Sequence, residues 1–311
     1  MVKPNILLLS RFPDAFCARL REHFDCHEYA QLEDDHLQAL APRLRGIVAS
    51  GESIVTRDLI ARLPALEIIS VLGVGYDGID IEAAREHGVC VTHTPGLSTD
   101  DIADFAMALL LSAARQVVAA DRFVRRGDWT VGRFPVTPRV YGGRIGIVGL
   151  GRIGRAVAAR ALSFGMSVYY TGRTPKTDVS YRWYGDARTL AANVDFLVVC
   201  ASGGSATHAL IDATVLAALG PSGVLVNVAR GSIVDENALV QALRERKILA
   251  AGIDVFCNEP HIPEALLALD NVVLTPHMAS TTETTVRAML DLTFDNLAAH
   301  FSGRPVLTPV E

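Results

Sequence analysis

Aromatic residues make up only 6% of this 311-residue chain, cysteines number five, and no block of one charge sign stands out. The cysteines, Cys17, Cys26, Cys90, Cys200 and Cys257, are odd in number, widely separated and form no CxxC pair. That argues against a disulfide framework and for a reducing, cytoplasmic compartment, with all five expected as buried thiols. The 29 basic and 34 acidic side chains leave a net charge of -5, and without a basic block nucleic acid is not an expected partner. The uncharged apolar stretch Phe105 to Ala114 is about half a membrane span, and no membrane association is expected. HExxH, paired Cys/His spacing and a DxDxDG loop are missing, so no metal site is indicated. Gly-x-Ser-x-Gly is missing too, which leaves a serine hydrolase unsupported.

What is there is apolar and periodic. Hydrophobic residues reach 50% against 20% charged, enough to bury a sizeable core, and the length suits roughly two domains. Short runs rich in Val, Ile and Leu (NILLL, GIVA, EIISV, VCV, RIGIV, SVYY, DFLVV, VLVNV, AAGIDV, VVL) alternate with helix-like segments. Continuous rather than alternating apolar runs indicate strands covered on both faces, hence parallel α/β sheets. Two longer amphipathic segments, about 100–126 and 281–302, are expected as helices. The second opens on Ser280 and Glu283 in capping-box spacing. Between them the Pro- and Gly-containing stretch 127–143 has the composition of a crossing between domains.

The run Gly149-Leu150-Gly151-Arg152-Ile153-Gly154 fits G-x-G-x-x-G, a pattern that composition alone yields roughly 0.15 times in such a chain. Its setting carries more weight, because RIGIV precedes it as a strand and Arg155 to Phe164 follows as an Ala-rich helix. Gly149 permits the tight turn, Gly151 lets backbone amides approach a pyrophosphate at the helix N-terminus, and Gly154 lets helix and strand pack closely. After the next strand, SVYY, a domain selective for NAD would carry Asp or Glu for the ribose 2′-hydroxyl. This chain carries Arg173, followed by Thr174 and Lys176. A guanidinium can hold a 2′-phosphate that an acid would repel, so NADPH/NADP is the expected cofactor and NADH the weaker one.

Arg230, Glu259 and His277 fall just after strands in the second half, where ligands of open parallel sheets gather. Hydride delivery to a keto carbon builds negative charge on oxygen, and a positioned acid must supply a proton. His277 is the candidate acid, Glu259 the carboxylate that favours its imidazolium form, and Arg230 a planar fork for a substrate carboxylate. At these residues the chain resembles the D-isomer-specific 2-hydroxyacid dehydrogenase family: NVARGSIVDENAL, AAGIDVFCNEP and TPHMAS look like its successive signatures. VLGVGYDGIDIEAA and THTPGLSTDDIADFAMALLL extend the likeness over most of the chain. Within that family it looks most like the NADPH-dependent glyoxylate and hydroxypyruvate reductases, which read Tyr-Thr-Gly-Arg at the same place.

The resemblance implies two doubly wound parallel-sheet domains. One is a discontinuous flavodoxin-like substrate domain, 1–98 with 286–311, and the other a Rossmann-type domain, 99–285, with the reaction in the cleft between them. It also implies a homodimer formed through 100–140, and small 2-keto or 2-hydroxy acids as substrates. Residue by residue, it implies that Arg230 and His277 contact substrate, and that Val74 and Gly75 receive the substrate carboxylate on backbone amides. It further implies that Asp254 bonds the nicotinamide amide, Ile102 lines the nicotinamide face, Arg152 and Ile153 lie over the pyrophosphate, and Val228, Ala229 and Ala279 line the cofactor cleft. A 2-ketogluconate or a hydroxyphenylpyruvate reductase of the same family would share every catalytic residue. A non-catalytic NAD(P)H-sensing binding protein is the alternative from another class, although such relatives carry an acid where Arg173 stands.

Overall fold

Strands form where the sequence runs through Val, Ile and Leu without interruption, and side chains along each strand alternate between two separate cores. The computed structural model describes residues 3–310. The chain divides into two units, one ending at Ser98 and resuming at Thr282, the other Thr99–Thr281.

In the first unit the strands β1 (Asn5–Leu8), β2 (Asp25–Glu28), β3 (Leu44–Ser50), β4 (Ile68–Leu72) and β5 (Cys90–Thr92) are all parallel, in the order β2-β1-β3-β4-β5. Leu7, Ile47, Ile69 and Val71 enter one core, while Ile6, Val48 and Ile68 enter the other. The helix Glu283–Phe301 covers the second face with Phe294 and Leu297, and Ser70 Oγ donates to the carbonyl of Thr293 at 3.1 Å. The chain order reverses between β1 and β3, the kind of switch point where open sheets bind ligands.

The second unit holds β6 (Arg144–Val148), β7 (Ser167–Thr171), β8 (Arg182–Tyr184), β9 (Phe196–Val199), β10 (Val224–Asn227), β11 (Ala250–Ile253) and β12 (Val272–Leu274). They are parallel throughout, in the order β12-β11-β10-β9-β6-β7-β8. Counted from β6, that is the 3-2-1-4-5-6 winding of dinucleotide-binding sheets with one strand added. Ile145, Val198, Val224 and Val226 face one core and Val148, Leu197, Val199 and Leu225 the other, so neither face meets water. The helix Thr99–Ala114 fills the first face. Gly252 on β11 leaves room for it, since a Cβ there would lie 3.0 Å from Leu109 Cβ.

Several sequence expectations need correcting. The segment 100–126 is two helices, Thr99–Ala114 and Val117–Arg125, bent by 58°. Gln116 takes a left-handed conformation with φ 50 and ends the ladder, although the apolar pattern runs on through it. Among the described residues no single helix is long and apolar enough to cross a membrane. The stretch 127–143 lies inside the second unit, and the chain passes between units after Ser98 and Thr281 instead. Thr282, not Ser280, caps the final helix by accepting from Thr285 N–H at 3.3 Å, and Glu283 at its first position pairs with Arg287 at 2.9 Å. All five thiols are unpaired, but only Cys17 is buried. Cys26, Cys90 and Cys200 are intermediate, and Cys257 is exposed in the loop after β11.

Candidate active site

Three neighbouring parallel strands, β10, β11 and β12, deliver Arg230, Glu259 and His277 from loops at their carboxyl ends. Glu259 and His277 meet directly, with His277 Nδ1 2.7 Å from Glu259 Oε2. The other carboxylate oxygen, Oε1, accepts from the Phe256 backbone N–H at 2.7 Å, which fixes the plane of the acid. Burial pushes the Glu259 carboxyl up, but the hydrogen bonds from His277 and Phe256 and the nearby Arg230 charge outweigh it and hold the pKa below the usual glutamate value. Glu259 is therefore an anion at neutral pH, and Nδ1 carries the proton between the two groups.

The turn that presents His277 is unusual. Its φ is 49, a left-handed conformation uncommon for a side-chain-bearing residue, and such outliers gather where geometry is over-determined for function. His277 N–H donates to the carbonyls of Asp254, at 2.8 Å, and Thr275, at 3.1 Å. Asp254 secures the same turn with its side chain, accepting from Thr275 Oγ1 at 2.6 Å and from the amides of Met278 and Ala279, each at 2.9 Å. Asp254 is 0% exposed and spends its carboxylate on these three donors. Through them it holds the turn that presents the histidine.

Arg230 is partly exposed, and one of its guanidinium nitrogens donates to the Ala229 carbonyl at 2.7 Å. Its backbone is set by buried Asn227, whose amide donates to the Arg230 carbonyl at 2.9 Å and accepts from Ala229 N–H at 3.1 Å. Gly231 follows, and a Cβ there would lie 2.0 Å from the Phe256 carbonyl carbon. The Arg230 loop and the loop carrying Glu259 therefore touch backbone to backbone, which only glycine allows. Asn227 and Gly231 thus support the site without being among the residues expected from the sequence. The available signal was a lone glycine directly behind a charged residue at a strand end, a mark of close backbone approach.

The glycine turn sits on the same edge, between β6 and the helix Arg152–Ser163. Gly149 has φ 95 and packs so tightly that a Cβ would lie 2.7 Å from Ala201 Cα, while a Cβ at Gly154 would lie 2.2 Å from the Gly149 carbonyl oxygen. A Cβ on Gly151 would meet nothing within 4 Å, and no side chain caps the helix. The first amides of a 12-residue helix thus open onto clear space, the arrangement a pyrophosphate needs. Arg152 is exposed and Ile153 partly buried at this terminus, and Arg173 and Thr174 are exposed beyond β7. Ile102, Val228, Ala229 and Ala279 are buried among the side chains of the two apolar cores. In the first unit, Val74 and Gly75 follow β4. Gly73 N–H bonds Thr94 Oγ1 at 3.0 Å and His93 Nδ1 lies 2.9 Å from the Val74 carbonyl, so the turn is pinned from below.

The family described as D-isomer specific 2-hydroxyacid dehydrogenase, NAD binding domain, matches residues 107–279. The chain belongs to this family. Over 277 residues, 89% of this chain and 88% of the relative, the dehydrogenase is 47% identical to the hydroxyphenylpyruvate reductase of Plectranthus scutellarioides. Over 308 residues, 99% of each, it is 42% identical to the 2-ketogluconate reductase of Gluconobacter oxydans. It also resembles the crystal structure of an NADPH-dependent glyoxylate/hydroxypyruvate reductase from Sinorhizobium meliloti in complex with NADP and malonate. That match has a TM-score of 0.91 and 41% identity and covers 99% of this chain and 97% of the other. The matched NAD-binding region falls within the seven-stranded unit of this 2-hydroxyacid dehydrogenase.

Proposed function

We propose that this dehydrogenase reduces a small 2-keto acid, glyoxylate or hydroxypyruvate, to the D-2-hydroxy acid with NADPH. The observation that carries this is the 2.7 Å contact of His277 with an ionised Glu259, on adjacent strand ends beside Arg230. Similarity to reductases of glyoxylate and hydroxypyruvate, of 2-ketogluconate and of hydroxyphenylpyruvate supports the reaction type.

The uncapped helix at Gly151, with Arg152 and Ile153, would hold the pyrophosphate, and Arg173 with Thr174 the 2′-phosphate. When bound, the dihydronicotinamide supplies the hydride. Arg230 pairs its planar fork with the substrate carboxylate and leans toward the keto oxygen, fixing orientation and polarising the bond. In the first unit, Val74 and Gly75 offer backbone amides suited to a carboxylate. His277, with Nδ1 turned to Glu259, would deliver its proton through Nε2 as charge develops on the substrate oxygen. Glu259 keeps the ring oriented and opposes premature loss of that proton.

One feature of the first unit favours a polar substrate tail. Ser10, after β1, and Ser50 and Ser53, at and after the end of β3, hydrogen-bond one another at 2.9 to 3.1 Å. The adjoining Gly51 packs against Gly73, just before the Val74–Gly75 turn. Three hydroxyls thus lie close to that turn, which also carries Tyr76 with its ring against His93; the hydroxyls suit hydroxypyruvate and leave 2-ketogluconate as the second reading. NADPH oxidation against glyoxylate, hydroxypyruvate, 2-ketogluconate and hydroxyphenylpyruvate tests this. The expected kcat/KM is about tenfold or more higher for hydroxypyruvate than for the aryl substrate. The reverse order contradicts the substrate, and negligible turnover on all four points to an NAD(P)H-sensing binding protein.

The stretch 100–140 is proposed to seat a second copy. The helix Val117–Arg125 buries none of its residues, and Val117, Val124, Trp129 and Val131 are all exposed, more apolar surface than a monomer usually leaves in water. Sedimentation should give twice the 33.4 kDa chain mass, and Val124→Asp should lower it. A single-chain mass for the unsubstituted protein at micromolar concentration excludes the dimer.

A further inference from the structure

The loop that carries Arg173, Thr174 and Lys176 from β7 toward β8 is exposed along most of its length. A guanidinium on a mobile loop loses conformational entropy each time it closes on an anion, so whatever pre-sets the loop raises affinity without touching the ligand. Three ties hold it here. Trp183 Nε1–H donates to the Gly172 carbonyl at 3.3 Å. The Arg155 guanidinium grips the Asp178 carboxylate through contacts of 3.0 and 2.9 Å. Between them, the Lys176 backbone N–H donates to the Tyr170 hydroxyl oxygen at 2.6 Å. Arg155 stands on the helix that begins at the glycine turn, so the far end of the loop is fastened to the proposed pyrophosphate site.

The outer two ties are made by exposed side chains and are weak in water. The middle one differs in kind. Tyr170 is 1% exposed, on a strand paired on both sides, with its ring packed in the core, so its hydroxyl is a fixed point rather than the tip of a flexible arm. Phenylalanine would fill the same space, and a buried phenol is retained only where its hydroxyl has a partner to hold.

We propose that Tyr170 is a positioning residue for cofactor choice: its hydroxyl anchors the loop at Lys176 in the shape that sets Arg173 and Thr174 against the 2′-phosphate of NADPH. This rests on the assignment of Arg173 above. Loss of the anchor should weaken recognition of the phosphate and leave the rest of the dinucleotide untouched.

Tyr170→Phe tests it, with kcat/KM measured for NADPH and NADH and calorimetric binding measured for adenosine 2′,5′-bisphosphate and AMP. The NADPH-over-NADH ratio should fall roughly threefold to tenfold, the range of one neutral hydrogen bond, with kcat on NADH unchanged. The bisphosphate should weaken to match and AMP should not. Lys176→Pro, judged against Lys176→Ala, removes the donor from the exposed side and should move the ratio the same way without disturbing the core. Equal losses for both cofactors and both nucleotides, with a lowered melting temperature, would make Tyr170 a core residue and overturn the proposal. Arg173→Ala run alongside separates the two levels. If it abolishes the preference while Tyr170→Phe and Lys176→Pro spare it, only the anchor fails. If Arg173→Ala also spares it, the phosphate site and the anchor fall together.

Discussion

Replacing His277 with Asn should lower kcat for keto-acid reduction about 10²- to 10⁴-fold, the usual contribution of a positioned proton donor, while the dissociation constant for NADPH stays within about twofold. Asn suits this test because it tolerates the left-handed backbone that His277 adopts at φ 49, so the turn held by Asp254 survives the change. The amide keeps a polar group facing Glu259 but has no titratable proton to deliver near neutrality. Steady-state turnover with hydroxypyruvate and fluorescence titration with NADPH measure the two halves separately. A fall in kcat of less than about threefold would remove His277 from proton transfer.

The second large effect concerns the cofactor. Arg173→Asp should lower kcat/KM for NADPH by about 100-fold or more. It removes charge-assisted hydrogen bonds worth about 1.5 to 3 kcal/mol and sets a carboxylate against the phosphate. For NADH the same carboxylate can accept from the ribose hydroxyls, so its kcat/KM should hold or rise, and the preference should invert. Arg155, already paired with Asp178, cannot readily take over. Parallel progress curves with the two cofactors at fixed keto acid decide it, and equal losses for both would refute the role of Arg173.

Much of this was legible in the chain because burial on both sheet faces writes itself as unbroken Val, Ile and Leu. The strands β1, β3 to β7 and β9 to β12 are readable for that reason. The strands β2, with sequence DCHE, and β8, with RWY, are not: each lies at a sheet edge, is short, and carries polar side chains that water can reach. The break at Gln116 is hidden because neither glycine nor proline marks it. Within the site, Arg230, Glu259 and His277 stand out as charged residues directly behind apolar strands. That Asp254 ties down the histidine turn depends on where the amides of Met278 and Ala279 point, and the path of that loop cannot be read from residue types. The same holds for Cys257, which the loop after β11 turns outward.

The pairing of His277 with an anionic Glu259 is tested most directly by the pH dependence of Glu259→Gln. The amide oxygen of the substituted side chain can still accept from Phe256 N–H, which leaves the amide nitrogen, a donor, facing Nδ1, so the imidazolium loses both its anionic neighbour and its acceptor. Without the anion the imidazolium gives up its proton at lower pH. The high-pH limb of kcat/KM for keto-acid reduction should therefore move down by about one unit. The low-pH limb for oxidation of the hydroxy acid, which needs the neutral ring, should move down by the same amount. Limbs that stay where they are in both directions would contradict the assignment of Glu259 and His277 as one proton-transfer pair.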